Sequence, residues 1–226
     1  KPRTAVVETV HVLNRLLAGE RAPLHGQFLR WSDACYLRFT PGRRVPIYLG
    51  AMSPRMLEEI GRIADGGLPL LFPPEHFRNV WPRIQAGARL AGRDFEALDI
   101  AACIWCSLAD DRRAAEDVLK DKIAYYGHAL SPLILEQLGL TYEDFKPIEQ
   151  AVMVENDPAK ARQMVTPAML RIGIAGTSRD LIERLEGLAA EGVRHISFGP
   201  PLGPDVPAAI TTIGREVIPH FRKRLV

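Results

Sequence analysis

Short unbroken apolar runs alternate with stretches whose apolar residues recur every three to four positions, and this alternation fills most of the chain. The first periodic stretch is residues 4–17, where Val6, Val10, Leu13 and Leu17 share one helical face and Gly19 follows as a stop signal. Residues 22–44 are broken by Pro23, Gly26, Pro41 and Gly42 and read as irregular or hairpin-like. Then a regular order sets in. A strand over 45–49 leads to a helix over 54–63, with Met56, Leu57, Ile60 and Ile63 on one face. Asp65-Gly66-Gly67 reads as a turn, 68–72 as a strand, and 75–91 as a helix burying Phe77, Val80, Trp81, Ile84 and Ala88. A third strand over 100–108 precedes a helix capped by Asp110 or Asp111 and carrying Ala115, Val118, Leu119 and Ile123.

The pattern is then interrupted. Residues 128–172 read as a helical insertion in which Ser131-Pro132, Asp157-Pro158 and Thr166-Pro167 each give an N-cap followed by a first-turn proline. Thr177 or Ser178 starts the next helix, with Leu181, Ile182, Leu185 and Leu188 on its apolar face. A strand over 193–198, a loop over 199–204 and a last helix after Asp205 complete a single domain spanning 1–226. Continuous apolar strands between amphipathic helices imply an α/β fold with a parallel sheet covered by helices, either a (β/α) barrel or a doubly wound sheet. No Gly-x-Gly-x-x-Gly follows a strand and no Walker loop is present, which removes the main support for the doubly wound option.

The turn after the first of these strands has the chemistry of an anion cradle. Gly50 and Ala51 are small enough for a ligand to approach the backbone, Ser53 is a good N-cap, and Pro54 suits the first helical position. Free amides at that helix start carry partial positive charge and suit a phosphate, and Arg55 adds a full charge. An ordinary strand-to-helix turn with a capped helix fits the same residues, so the residues alone leave both readings open.

Composition removes several classes of function. A net charge of +2 on 226 residues argues against a dedicated nucleic-acid or membrane-surface binder. The basic close Arg222-Lys223-Arg224 reads as a helix C-terminus complementing its dipole. No apolar run approaches the ~20 residues of a membrane span and no secretory leader is read, while three cysteines are too few and too odd for a disulfide framework. A reduced, cytoplasmic protein is expected. Cys103-Ile-Trp-Cys106 has the spacing of a redox dithiol but lies within a strand, where residues three apart face opposite sides, so packing is expected instead. The six histidines have no partners at ligand spacing, so no metal is expected, and His195 is read as packed within its strand. No nucleophile elbow or paired carboxylates stand at a strand end.

The segments VPIYLGAMSPRMLEEIGRIADG (45–66), AGTSRDLIERLEGLAAE (175–191) and VRHISFGPPLGP (193–204), with the closing GREVIP (214–219), resemble the luciferase-like superfamily of barrel oxidoreductases. Within it the chain is most similar to the coenzyme F420-dependent methylenetetrahydromethanopterin reductases, a likeness that SPLILEQLGL and VTPAML in the insertion share. The resemblance implies a (β/α)8 TIM barrel in which the strands at 45, 68, 100 and 193 are the fifth to eighth, so that only the C-terminal half of the barrel is present. A barrel of this kind takes about 250 residues or more, and the chain opens on Lys1 rather than Met. A piece of a longer protein is therefore expected, the catalytic residues lying in the missing half.

The resemblance further implies that Gly50, Ala51, Met52, Ser53 and Arg55 hold the phosphate-bearing tail of the cofactor, F420 or alternatively FMN. Phe72, Phe198, Gly199 and Leu202 would wall the cofactor or the substrate. The run Leu70-Leu71-Phe72-Pro73-Pro74 departs from the polar or small residues usual after the family's sixth strand and suits a hydrophobic substrate. The implied activity is hydride transfer between F420 and a small organic molecule. The alternatives are an FMN-dependent monooxygenase and a non-catalytic half barrel acting as a binding or assembly protein. A homo-oligomer without nucleic-acid or membrane partners is expected.

Overall fold

Pro2 sits at the first helical position and starts helix α1 (Pro2–Leu17) two residues before its periodic stretch. The computed structural model describes residues 1–21 and 23–222, so Ala22, Lys223 and Arg224 of the segments discussed above lie outside the described residues. The chain divides into two units, Lys1–Leu70 with Arg78–Ala101, and Leu71–Phe77 with the chain from Ala102 on.

In the first unit, β1 (Leu24–His25) and β2 (Arg30–Trp31) form a small antiparallel hairpin. Glu8 of α1 anchors it, its carboxylate accepting the amides of Gln27, Phe28 and Leu29 at 2.7, 3.0 and 3.0 Å. Strand β3 (Tyr48–Ala51) begins three residues later than the apolar run, because Pro46 has no N–H to give a ladder. Pairing opens instead with Ile47 and Asp65, whose backbone and carboxylate bonds are both 2.9 Å. Helix α2 (Pro54–Ile63) has the bounds its periodicity gives.

Gly66 and Gly67 are the first residues of β4 (Gly66–Pro69), not a turn. A Cβ on Gly66 would lie 2.3 Å from the Asp99 carbonyl and 2.4 Å from the Tyr48 ring, and one on Gly67 would lie 2.8 Å from Ile60, so only hydrogen fits there. Strands β3 and β4 pair in parallel from Tyr48↔Gly66 to Ala51↔Pro69, and β4 pairs with the start of β5 (Asp99–Leu108) through Gly66↔Asp99 and Gly67↔Ile100. Helix α3 (Phe77–Leu90) follows a 3-10 turn at Pro74–His76. Leu57, Ile60, Val80 and Ile84 fill the core between helices and strands. Arg93 closes the end of α2, donating to the carbonyls of Gly61 and Ala64 at 2.9 and 2.6 Å.

In the second unit, α4 (Arg112–Tyr126) is capped by Asp111, which accepts from the Arg113 amide. Helices α5 (Pro132–Gln137), α7 (Pro158–Met164) and α8 (Pro167–Leu170) each start on the expected proline. Helix α6 (Tyr142–Glu149) was not foreseen; Thr141 and Asp144 close it with a capping box, and Pro147 lies inside it. A three-residue strand, β6 (Ile174–Gly176), also escaped notice and pairs in parallel with Cys106–Leu108.

Thr177 and Asp180 box the start of α9 (Ser178–Ala190). Strand β7 (His195–Leu202) pairs with β5 and absorbs residues 199–202 of the segment expected to be a loop. Asp205 caps α10 (Val206–Thr212), and a π turn joins it to α11 (Ile218–Arg222). Both units set parallel strands against helices, an α/β fold, and among the described residues neither contains a closed barrel.

Candidate functional site

At the end of β3, Ala51 points into the core with 8% exposure while Gly50 faces outward, in register with Leu68 of β4. A Cβ on Gly50 would meet nothing nearer than the Leu68 carbonyl at 4.0 Å, so that side of the strand is open. Met52 and Leu68 border it, 43% and 40% exposed. Ser53 begins α2 through its backbone carbonyl, which accepts the amides of Met56 and Leu57 at 3.0 and 2.9 Å. Its hydroxyl makes no cap bond, and Pro54 brings no donor. The helix start therefore keeps positive dipole and an uncommitted hydroxyl beside an open strand end, which suits an anion. Arg55 is exposed one residue further on.

The second unit gathers a different set. Phe72 is 2% exposed and its ring packs on Trp105, centroids 4.3 Å apart and tilted by 37°. Trp105 in turn meets Tyr126 at 6.0 Å, and the Lys122 ammonium sits 4.3 Å from the Tyr126 ring. Gly199 is buried against the same strand: a Cβ there would lie 3.1 Å from the Ile104 carbonyl, 3.5 Å from the Trp105 ring and 3.6 Å from Cys103 Sγ. Phe198 and Leu202 are half-buried, and Leu202 adopts a left-handed φ of 67°. Phe72, Gly199 and Trp105 thus come together. Leu71, fully buried, belongs to the core and does not line an opening.

A cleft of about 220 Å³ opens where β5 and β7 end and α9 and α10 begin, bordered by Leu108, Asp110, Ser178, Asp205 and Thr212. None of the expected site residues lines it, and its Asp205 is occupied in capping the Ala208 amide at 3.0 Å.

Burial pushes the Cys106 thiol up to about 12. It also raises Cys103, against a smaller opposing hydrogen bond with Ser197. Neither is a thiolate near neutral pH, so the Cys-x-x-Cys spacing is packing. His195, expected to be packed, is exposed, because its strand starts with it instead of two residues earlier. Among the described residues no group of three or more His, Cys, Asp or Glu gathers at metal-binding distance, and no helix is long and apolar enough to cross a membrane.

Two features were not found by pattern reading. Trp105 and Tyr126 lie 21 residues apart, and nothing in the periodicity joins them. His76, 4% exposed, lies beside Gln137, with Nδ1 and Nε2 2.8 Å apart. Its place on the connection between β4 and α3 was the one available signal.

Residues 1–195 match the family described as luciferase-like monooxygenase. The chain belongs to that family. It is 32% identical over 224 residues to a 5,10-methylenetetrahydromethanopterin reductase of Methanopyrus kandleri, covering 98% of this chain and 64% of the relative. It is 31% identical to the enzyme of that name from Archaeoglobus fulgidus, covering 98% and 68%. The solved structure of the coenzyme F420-dependent tetrahydromethanopterin reductase from Methanopyrus kandleri superimposes with a TM-score of 0.91 at 32% identity, over 97% of this luciferase-like chain and 64% of that one. The chain therefore spans somewhat under two thirds of the length of the Methanopyrus relative.

Proposed function

We propose that this luciferase-like chain serves an oxidoreductase that moves a hydride between coenzyme F420 and a small organic substrate of the methylenetetrahydromethanopterin type. The observation that carries this reading is the 32% identity over 98% of the chain to a reductase of that name, together with a TM-score of 0.91 to an F420-dependent relative. In this reading β3, β4, β5 and β7 are the fifth to eighth strands of a TIM barrel, with 128–172 as an insertion, and the protein is cytoplasmic and oligomeric.

Within the first unit, the open side of Gly50, the Ser53 hydroxyl, the amide end of α2 and Arg55 fit a phosphate-bearing tail, with Met52 at its edge and Ala51 packing the strand beneath it into the core. When bound, the cofactor supplies the hydride chemistry. Within the second unit, Phe198 and Leu202 offer half-buried apolar surface, and Phe72 stiffens Trp105 from behind. These residues bind, orient and exclude water.

Titration of the full chain with F420 and, separately, with FMN tests the reading through absorbance and fluorescence. Saturable F420 binding and oxidation of reduced F420 in the presence of 5,10-methylenetetrahydromethanopterin are expected. Tight FMN binding with no F420 binding replaces it with the flavin-dependent monooxygenase reading. Failure of both cofactors to bind leaves the non-catalytic reading.

A further inference from the structure

His76 occupies the connection between β4 and α3, the kind of strand-to-helix loop from which barrel enzymes build their sites. The turn that carries it is fixed on two sides. Glu75 pairs with Arg184 of α9 at 2.6 Å, and His76 Nδ1 lies 2.8 Å from Nε2 of Gln137, the last residue of α5. The same Gln137 nitrogen is 2.8 Å from the Leu133 carbonyl.

That second contact settles the tautomer. A carbonyl oxygen only accepts, so the amide group facing it is the NH2 and not the oxygen. One of its hydrogens goes to Leu133 and the other to His76, so Nδ1 accepts. In the neutral ring the proton then sits on Nε2. Burial disfavours the charged ring and lowers its affinity for a second proton, and an Nδ1 that accepts from Gln137 favours the neutral ring as well. Among the described residues Nε2 has no partner, yet it is not among the polar atoms sealed from solvent. A side chain 4% exposed thus keeps one N–H oriented and unspent.

We infer that His76 presents this Nε2–H as a fixed, neutral hydrogen-bond donor to a carbonyl oxygen or ring nitrogen of the substrate, with Gln137 as the positioning residue that sets its tautomer. The inference rests on the oxidoreductase reading above. A neutral donor selects a lone pair without demanding a negative charge, as an uncharged heterocycle or ketone requires. The glutamine keeps the ring from rotating or exchanging tautomers as the substrate arrives.

Three measurements on the full chain test it. The ¹⁵N spectrum of the imidazole should show Nε2 protonated, and an Nδ1-protonated ring overturns the inference whatever the activity. His76→Asn, which places no donor at the Nε2 position, should raise KM for 5,10-methylenetetrahydromethanopterin about tenfold, the loss of one hydrogen bond, with F420 affinity unchanged. His76→Gln, whose amide nitrogen reaches that position, should restore KM to within about threefold of the parent. An unchanged KM in His76→Asn, or equal loss in both variants, sinks the inference. A parent chain that binds no F420 defeats the functional reading instead, and the tautomer measurement still decides the donor.

Discussion

The backbone of Gly87 on α3 lies directly against the Glu58 carbonyl of α2, so that a Cβ on Gly87 would stand 1.9 Å from that oxygen. The contact is reciprocal, since a Cβ on Gly61 would stand 2.0 Å from the Ile84 carbonyl. Two helices that close cannot accept a methyl group without moving apart, and the obstacle is backbone, which has no rotamer to yield. Gly87→Ala should therefore destabilise the chain by about 1–3 kcal/mol, the usual cost of overpacking, despite alanine's better helix propensity. Urea denaturation should show a lower midpoint with an unchanged slope. A midpoint at or above that of the parent would refute the close approach.

The hairpin at residues 24–31 has only two paired residues on each strand, and the Glu8 carboxylate supplies much of its anchorage. Three amide donors, the Leu29 bond foremost, hold the Glu8 carboxyl below its ordinary value. A group whose folded pKa is depressed adds stability above its unfolded pKa and loses it as pH falls through the folded value. The latch should be complete above about pH 5 and open below the ordinary glutamate range near 4.3. Protection of the Gln27, Phe28 and Leu29 amides against hydrogen exchange, taken relative to the intrinsic rate at each pH, should be high at neutral pH and fall on acidification. Glu8→Gln should remove that extra acid sensitivity.

How much of this was legible depends on how far apart the interacting residues lie. Helix α2 could be read to its exact ends because Ser53, Pro54 and a four-residue apolar face are all local signals. Three of the four expected strands were displaced by two to four residues at both ends, whereas β5 differs from its apolar run by one residue at its start. Pro46 sits inside an apolar run but cannot pair, while Gly66 and Gly67 look like a turn and are strand residues for want of room. Strand β6 has three residues and no period to detect. The Glu8 latch joins a helix to amides about twenty residues on, and His76 meets Gln137 across 61 residues. Contacts of that span follow from the fold and leave no mark in local pattern. The family was legible because its motifs are local and ordered; the surroundings of its expected ligand residues were not.

Ser53→Asp separates two roles of the same position. Aspartate caps a helix at least as well as serine and complements the dipole, so the melting temperature should hold or rise slightly. The added carboxylate would stand where the anionic tail is proposed to sit, and F420 affinity should fall by about tenfold or more, a penalty of roughly 1.4 kcal/mol. Fluorescence titration beside a thermal melt reads both quantities. Unaltered affinity in a stable variant would remove the α2 start from the cofactor site.

The three thiols should react in an order set by burial. Cys35 is exposed, Cys103 is half-buried with its thiol raised, and Cys106 is fully buried with its thiol pushed up to about 12. Reaction with a disulfide reagent proceeds through the thiolate, so both access and proton affinity work against Cys106. Under native conditions at neutral pH one thiol should be modified quickly, a second slowly, and the third only as the chain unfolds. Mass mapping of partly labelled protein assigns them. Modification of Cys106 before Cys103 would contradict the packing of β5 against α4, where Ser107 Oγ, next in the strand, donates to the Ala115 carbonyl at 2.7 Å.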